Sequence, residues 1–420
     1  MRRSCVAPAL FTFVLGALAA CSDDGAVTAD SGPPGDGPVA DHPGGADGAA
    51  ADGRADSGPA ADMEQDGPGL PARWQKVSGK APALIYHSAT LLADGRVLVA
   101  GGETRNADKT TQCVAEAHIF DPVSGSFAAT GSMAAARCAH SATLLPDGRV
   151  LVAGGRASVS SALDSAELFD PKTDTWSKTA ALPAARESHR AALLDAGTVL
   201  VSGGEGQGGT ELDSFAVYDP GPGSWSAPLT TMTKKRSHHT ATVLKGGKVL
   251  ITGGSDGTYY TSTAELFDPS SGTATALGQS LSKGRLGHTA DRIADGRVVL
   301  IGGFCGFSCV LSKDDLYDPK TNQLTGIAHL GDVPAFHATA LLADGRVLAC
   351  GGMTGSSTTA IDKAAAFNPK GGGGWDSLPV MSLARMRHTA TTLEDGSVLV
   401  VGGRGTLSGD YLDTADRFFP

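Results

Sequence analysis

Seven times the chain repeats a histidine followed, fourteen positions later, by a Gly-Gly pair. The histidines are His87, His140, His189, His239, His288, His337 and His388. The pairs open at Gly101, Gly154, Gly203, Gly253, Gly302, Gly351 and Gly402. Successive units lie 53, 49, 50, 49, 49 and 51 residues apart. A period near fifty with a fixed internal pattern means one supersecondary unit copied seven times, each copy burying its faces against its neighbours. The repeat constrains architecture closely and activity hardly at all.

Each unit holds four short strand signals. In the second, His140-Ser-Ala-Thr-Leu-Leu reads as strand a and Val150-Leu-Val-Ala153 as strand b, with the Asp147-Gly148 hairpin turn between them. The continuous apolar run of strand b suits a strand buried on both faces. Strand c, Ala166-Glu-Leu-Phe169, closes at Asp170-Pro171, and Trp176 marks strand d. The a–b turn is Asp-Gly at Asp94, Asp147, Asp295, Asp344 and Asp395. Asp-Pro closes strand c at Asp121, Asp170, Asp219, Asp268 and Asp318. The strand d aromatic is Phe127, Trp176, Trp225 and Trp375. Ala274 and Leu324 replace it in the fourth and fifth units, whose outer strands are therefore expected to be the weakest.

Four antiparallel strands per unit and seven units predict an all-β, seven-bladed β-propeller, which leaves only short protected edges. The order of apolar run, double glycine, aromatic-Asp-Pro and spaced Trp resembles the kelch repeat, over residues 74 to 420. Kelch propellers close their ring by mixing strands from both chain ends. Here the last unit stops after strand c at Pro420, and Trp74 is an orphan strand d. The resemblance implies that the N-terminal strand around Trp74 completes the seventh blade beside Arg417-Phe-Phe419.

Strand order puts every Asp-Gly and Asp-Pro turn on one short-looped face. The segments after Gly-Gly and the Arg-x-x-His segments share the other face, where binding is expected. Tyr259, Tyr260, Phe304 and Phe307 fall there in two neighbouring units and form the candidate contact patch, against the alternative that they pack under their own loops. The seven histidines recur with the unit and are expected to cap strands through local hydrogen bonds. A metal needs three or four ligands about 2 Å from one ion, and a sevenfold series spreads them around an axis. Arg137, Arg186, Arg236, Arg285 and Arg385 stand three residues before five of the histidines, and Leu84 and Pro334 break the series. Glu167, Glu265, Asp315 and Asp416 stand three before the ends of their strands c. These arginines and acids either pair within or between blades, or the arginines form a ligand-reading ring at the channel mouth, as in some kelch domains.

The start of the chain speaks of location. Arg2 and Arg3 precede an apolar stretch from Val6 to Ala20, too short to span a membrane comfortably. Its end, Leu18-Ala19-Ala20-Cys21, resembles the lipobox of bacterial lipoproteins. That resemblance implies a signal over 1–21 and lipidation at Cys21, hence a cell-envelope protein anchored on the periplasmic or cell-surface side. Residues 22 to 69 hold eleven acidic side chains, one basic and no aromatic, and read as a disordered acidic tether of Asp, Gly, Ala and Pro. The propeller domain occupies residues 70–420 and carries only −2 of the chain's net −10. It lacks the basic excess that phosphate backbones require, so no nucleic-acid partner is expected. Cysteine usage suits an oxidising compartment: Cys305 with Cys309 and Cys113 with Cys138 are placed for disulfides, and Cys350, inside strand b, is expected to be a buried free thiol.

The kelch family includes galactose oxidase, a copper enzyme using two Tyr, two His and a Tyr–Cys crosslink. No matching ligand motif stands in this sequence, and no phosphate loop or Gly-x-Ser-x-Gly elbow is present. The expectation is a monomeric, non-catalytic module without cofactor or metal, binding protein or glycan. The alternatives are a structural scaffold or adhesin and a copper-dependent carbohydrate oxidase.

Overall fold

In a computed structural model of the chain, the described residues are 71–420 except 227–229, 307–308, 310, 312, 330–334, 355–357 and 371–372. Cys21, the signal and the acidic segment lie outside them. Seven four-stranded antiparallel sheets follow the order a-b-c-d outward from the axis. In the first blade these are Ser88–Leu91, Val97–Ala100, Ala117–Asp121 and Ser126–Ala129. In the second they are Ser141–Leu144, Val150–Ala153, Ala166–Asp170 and Thr175–Thr179. Each strand a packs beside the strands a of its two neighbours, and the first meets the seventh, so the ring closes.

Closure uses both chain ends. The seventh blade takes Thr389–Thr392, Val398–Val401 and Ala415–Phe419 from the C-terminus and Arg73–Lys76 from the start of the domain. Trp74 pairs with Phe418 and Gln75 with Arg417. The Trp74 indole N–H donates to the Pro379 carbonyl of the sixth blade at 2.7 Å. Trp176, Trp225 and Trp375 make the same bond to the blade before them, through Gly131, Ala180 and Ala328. Trp74 is thus a strand d tryptophan supplied from the other end of the chain.

The core is divided among the blade interfaces. Alternate residues of strand b point to opposite neighbours: Val97 and Val99 join the cluster facing the seventh blade, and Leu98 and Ala100 the cluster facing the second. All four are fully buried. This is why strand b reads as an unbroken apolar run rather than an alternating one. Opposite, the short-looped face is made by side chains that satisfy their own turns. Asp170 Oδ1 accepts from the Lys172 N–H, and Asp147 accepts both the Arg149 N–H and its guanidinium.

Two expectations need correction. The outer strands that lack an aromatic are the longest, Thr273–Ser280 and Gln323–Ala328, whereas the Trp-bearing strand of the third blade is only Ser224–Trp225. The outer strands of the fourth and fifth units run on through Thr273, Thr275, Thr325 and Ile327, β-branched residues that suit a strand without an aromatic. The histidines also do not cap their own strands. His140 Nε2 lies 3.0 Å from Ser88 Oγ, His189 Nε2 2.8 Å from Ser141 Oγ and His239 Nε2 2.8 Å from Ser202 Oγ, each on the preceding blade. They are couplings between blades.

Candidate functional site: the axial mouth on the long-looped face

The repeated His, Arg and Gly-Gly form one interlocking device. Gly154 has φ +62°, and a Cβ there would meet the Arg186 carbonyl at 2.5 Å and His189 Cε1 at 2.8 Å, both from the next blade. The glycine is the socket for the neighbour's histidine. Arg137 Nη1 donates to the Gly154 carbonyl at 2.7 Å and its Nη2 pairs with Glu167 at 2.7 Å. Arg236–Glu265, Arg285–Asp315 and Arg385–Asp416 repeat that pair within their own blades. These arginines are fully buried, so they are not a ligand-reading ring. In the third blade Ala216 stands where the acid would be. Arg186 is left with carbonyls and the Ser214 hydroxyl, and burial lowers its pKa to about 10.

Burial likewise holds the histidines neutral. The pKa falls to about 4 at His87 and about 3 at His140, and well below 6.5 at His189, His239, His288 and His388. Burial is the main cause throughout, and from His140 onward these positions also face a neighbouring arginine.

Above this device the residue before each histidine forms a collar at the axis: Tyr86, Ala139, Ser188, His238, Gly287, Phe336 and Arg387. All have positive φ, from 52° at Ser188 to 62° at Phe336. Their backbones link blade to blade. The N–H groups of Ala139, Ser188, His238, Gly287 and Arg387 donate to the carbonyls of Tyr86, Ala139, Ser188, His238 and Phe336. Positive φ at bulky non-glycine residues costs about 1–3 kcal/mol each, and such strain concentrates at functional sites. A second tier lies just after each Gly-Gly: Glu103, Arg156, Glu205, Ser255, Phe304, Met353 and Arg404, each bridged to the residue before the collar.

The two tiers create a polarised mouth. On one side Arg156 pairs with Glu187 at 2.6 Å and Glu103 at 3.2 Å. The Tyr411 hydroxyl donates to Glu103 at 2.5 Å, and His238 Nε2 lies 3.3 Å from Glu205. The Arg387 guanidinium lies between Tyr86 and Phe336, 4.5 Å from each ring centroid. On the other side Met353, Met386 and Ala360 pack with Phe336 and Leu407. Below the collar, strands a line the channel with Ser, Thr and Ala plus two charges, Arg190 and Asp291. The Thr339 hydroxyl donates to Asp291 at 2.7 Å, and burial raises that carboxyl to about 6.

The expected contact patch is only partly a surface. Tyr259 is 72% exposed, and Tyr260 is half-buried. Phe304 is buried beneath Tyr260, 5.6 Å between ring centroids, and against Phe336. It is a floor rather than a contact, because its place after Gly-Gly turns it inward into the second tier. Phe307 lies outside the described residues. The cysteines pair as expected, Cys113–Cys138 and Cys305–Cys309, with Cys350 free and buried. Cys350 Sγ sits 3.6 Å from His388 Nε2, in the place taken by the Ser202 hydroxyl at His239, and burial raises the thiol to about 12. The collar was missed in sequence. Its signal was present in the variable position before each constant histidine.

The kelch motif family matches residues 137–183 and 235–273. The propeller carries kelch motifs. The two matched stretches fall on the second and fourth blades. Among solved structures, the kelch propeller is similar to one described as a novel fungal alcohol oxidase with catalytic diversity among the AA5 family, in complex with copper. The identity is 18% and the TM-score 0.67, over 84% of this chain and 77% of the other, a likeness of fold. No curated protein matches the sequence. Among the described residues no three of His, Cys, Asp and Glu converge to hold a metal. His238 and Tyr411 are each engaged with a glutamate. Among the described residues no helix is long and apolar enough to cross a membrane.

Proposed function

We propose that the protein is a non-catalytic binding module for a protein or glycan ligand, which it meets at the long-looped face around the axial mouth. The observation that carries this reading is the contrast between the two faces. One is closed by Asp-Gly and Asp-Pro turns whose side chains are spent on their own backbones. The other gathers Arg387, Glu103, Arg156, His238 and Tyr86 at a strained collar, with Tyr259 exposed on a neighbouring loop. A rigid scaffold with varied loops at one end is the usual setting for recognition. In this reading Cys21 carries the lipid and the acidic segment 22–69 holds the propeller away from the membrane. The two disulfides suit that oxidising location.

The test is a glycan array and a pull-down with the mature chain, repeated with Tyr259→Ala and Tyr86→Ala. Loss of the captured ligand in either variant, with unchanged circular dichroism, supports the face. Capture that survives both changes and fails when the Asp147-Gly148 and Asp344-Gly345 turns are altered refutes it. Tight copper binding with oxidation of a sugar alcohol would replace the binding module with the oxidase reading. The Cys21→Ser protein should leave the membrane fraction, and persistence there would remove the lipid anchor.

A further inference from the structure

The Asp-Pro turn of the third blade departs from its sisters. It reads Asp219-Pro-Gly-Pro-Gly223, and beside it lies an open cleft of about 460 Å³ between the second and third blades. One wall is Arg149 with the end of the second blade's outer strand, Lys178 and Thr179. The other is Tyr218 with the turn itself. The cleft is many times the roughly 30 Å³ of a water molecule and falls within the size range of small-ligand sites. It belongs to the short-looped side and shares no residue with the mouth.

A sister blade shows what ordinarily fills this place. In the fifth blade Tyr317 is the counterpart of Tyr218, and Asn322 that of Gly223. Asn322 and Gly223 share the left-handed conformation, with φ +58° and +68°. The Tyr317 hydroxyl donates to the Asn322 side-chain oxygen at 2.8 Å. Gly223 has no side chain to offer, and the Tyr218 hydroxyl lies instead 2.7 Å from Thr179 Oγ1 of the preceding blade. A Cβ on Gly223 would stand 3.5 Å from Thr179 Oγ1 and 3.7 Å from the Tyr218 hydroxyl, in ordinary contact. The bare glycine opens, beside two hydroxyls, the place that an amide takes in the fifth blade.

A second repeated contact is missing at the same spot. Arg96 and Arg297 each donate through Nη2 to the prolyl carbonyl of the next blade's turn, Pro171 at 2.9 Å and Pro369 at 3.3 Å. Arg149 holds their place in the second blade, and Pro220 is the corresponding carbonyl. Arg149 Nε and Nη2 both go to Asp147 Oδ2, and among the described residues its Nη1 has no hydrogen-bond partner. The cleft thus has a donor and an acceptor on its walls that bond directly elsewhere in the ring.

We propose that this cleft is a second binding site, for a sugar bearing an acetamido group. The acetamido oxygen takes the place of the Asn322 side-chain oxygen, beside the Tyr218 and Thr179 hydroxyls. Sugar hydroxyls, which donate and accept alike, link Arg149 Nη1 to the Pro220 carbonyl. The rigid rings of Pro220 and Pro222 give apolar edges for the methyl group and ring carbons. The ligand needs no charge, because Asp147 already neutralises Arg149 at 2.6 Å.

The experiment is calorimetric titration of the mature chain with N-acetylglucosamine, N-acetylgalactosamine, glucose, galactose and inorganic phosphate. At least one N-acetyl sugar should bind, and its parent sugar should bind at least about tenfold more weakly. Gly223→Asn gives the turn the residue of the fifth blade, whose backbone it already shares. It should remove binding without lowering the melting temperature. Tyr218→Phe, which gives the third blade the residue of Phe169 and Phe267, should weaken binding by about threefold or more. Tyr86→Ala and Tyr259→Ala abolish capture at the mouth and should leave this binding unchanged, so the two sites are read separately. Failure of both N-acetyl sugars to bind overturns the proposal. So does a parent sugar or phosphate binding as tightly, the latter because Lys178 and Arg149 would then be an anion site. Binding that survives both Gly223→Asn and Tyr218→Phe places the sugar elsewhere and also overturns it.

Discussion

At the residue scale, histidine, arginine and double glycine constrain each other across each blade boundary. The glycine must be bare because the next blade's imidazole and carbonyl fill the space where a Cβ would lie. Gly154→Ala should therefore destabilise the propeller by about 2–4 kcal/mol, through left-handed backbone cost and a collision with the Arg186 carbonyl. Gly148→Ala is the control. It also has positive φ, +88°, with nothing within 4 Å of its Cβ, and should cost about 1 kcal/mol. Denaturant titration of both variants checks the difference. Equal losses would show that only backbone conformation matters at Gly154.

At the element scale, the four strands of a blade differ in how they are held. Strand b is buried on both faces and paired on both edges. Strand d has one paired edge and depends on its indole bond to the preceding blade. Native-state hydrogen exchange should rank the strands from b, slowest, to d, fastest. Among outer strands, Ser224–Trp225 should exchange before Thr273–Ser280, although the first has a Trp and the second has none. The reverse order would mean that the aromatic anchor outweighs backbone pairing. Peptide-resolved mass spectrometry separates the two.

At the scale of the whole molecule, closure and acidity are collective properties. Removing residues 22–75 should lower the melting temperature by more than 10 °C on the order of a lost blade edge. Removing residues 22–69 alone should leave it nearly unchanged, because the sealing strand begins at Arg73. The pH response follows from the buried histidines. Their folded pKa values lie below the unfolded value near 6.5, so the unfolded chain takes up protons first as pH falls. Stability is complete above about pH 6.5 and is lost as pH falls from there towards the folded values of about 4 and 3 at His87 and His140. At about pH 5.5 His87 and His140 each contribute roughly 1.4 kcal/mol of loss, and His189, His239, His288 and His388 act in the same direction. Asp291 works in the opposite sense, since its raised pKa makes its protonation at about pH 6 favour the fold. Melting curves between about pH 5 and 8 should fall steeply on the acid side, and a flat profile would contradict neutral buried imidazoles.

The sequence by itself determined what depends on repetition and local chemistry. Strand type follows from the unbroken Val150–Ala153 run and turn type from Asp147-Gly148. Seven copies of one unit pointed to a ring, and the resemblance to kelch repeats implied that the strand around Trp74 completes the last blade. The tertiary structure decided what depends on contact across blade boundaries. His140 reads as a local cap until the ring sets it against Ser88 and the socket at Gly101. Phe304 reads as exposed until its place after Gly-Gly turns it under Tyr260. The axial mouth was the least legible part, because its members come from the one position per unit that the repeat leaves free. Arg387 and Tyr86 are about three hundred residues apart and meet only because the circle closes.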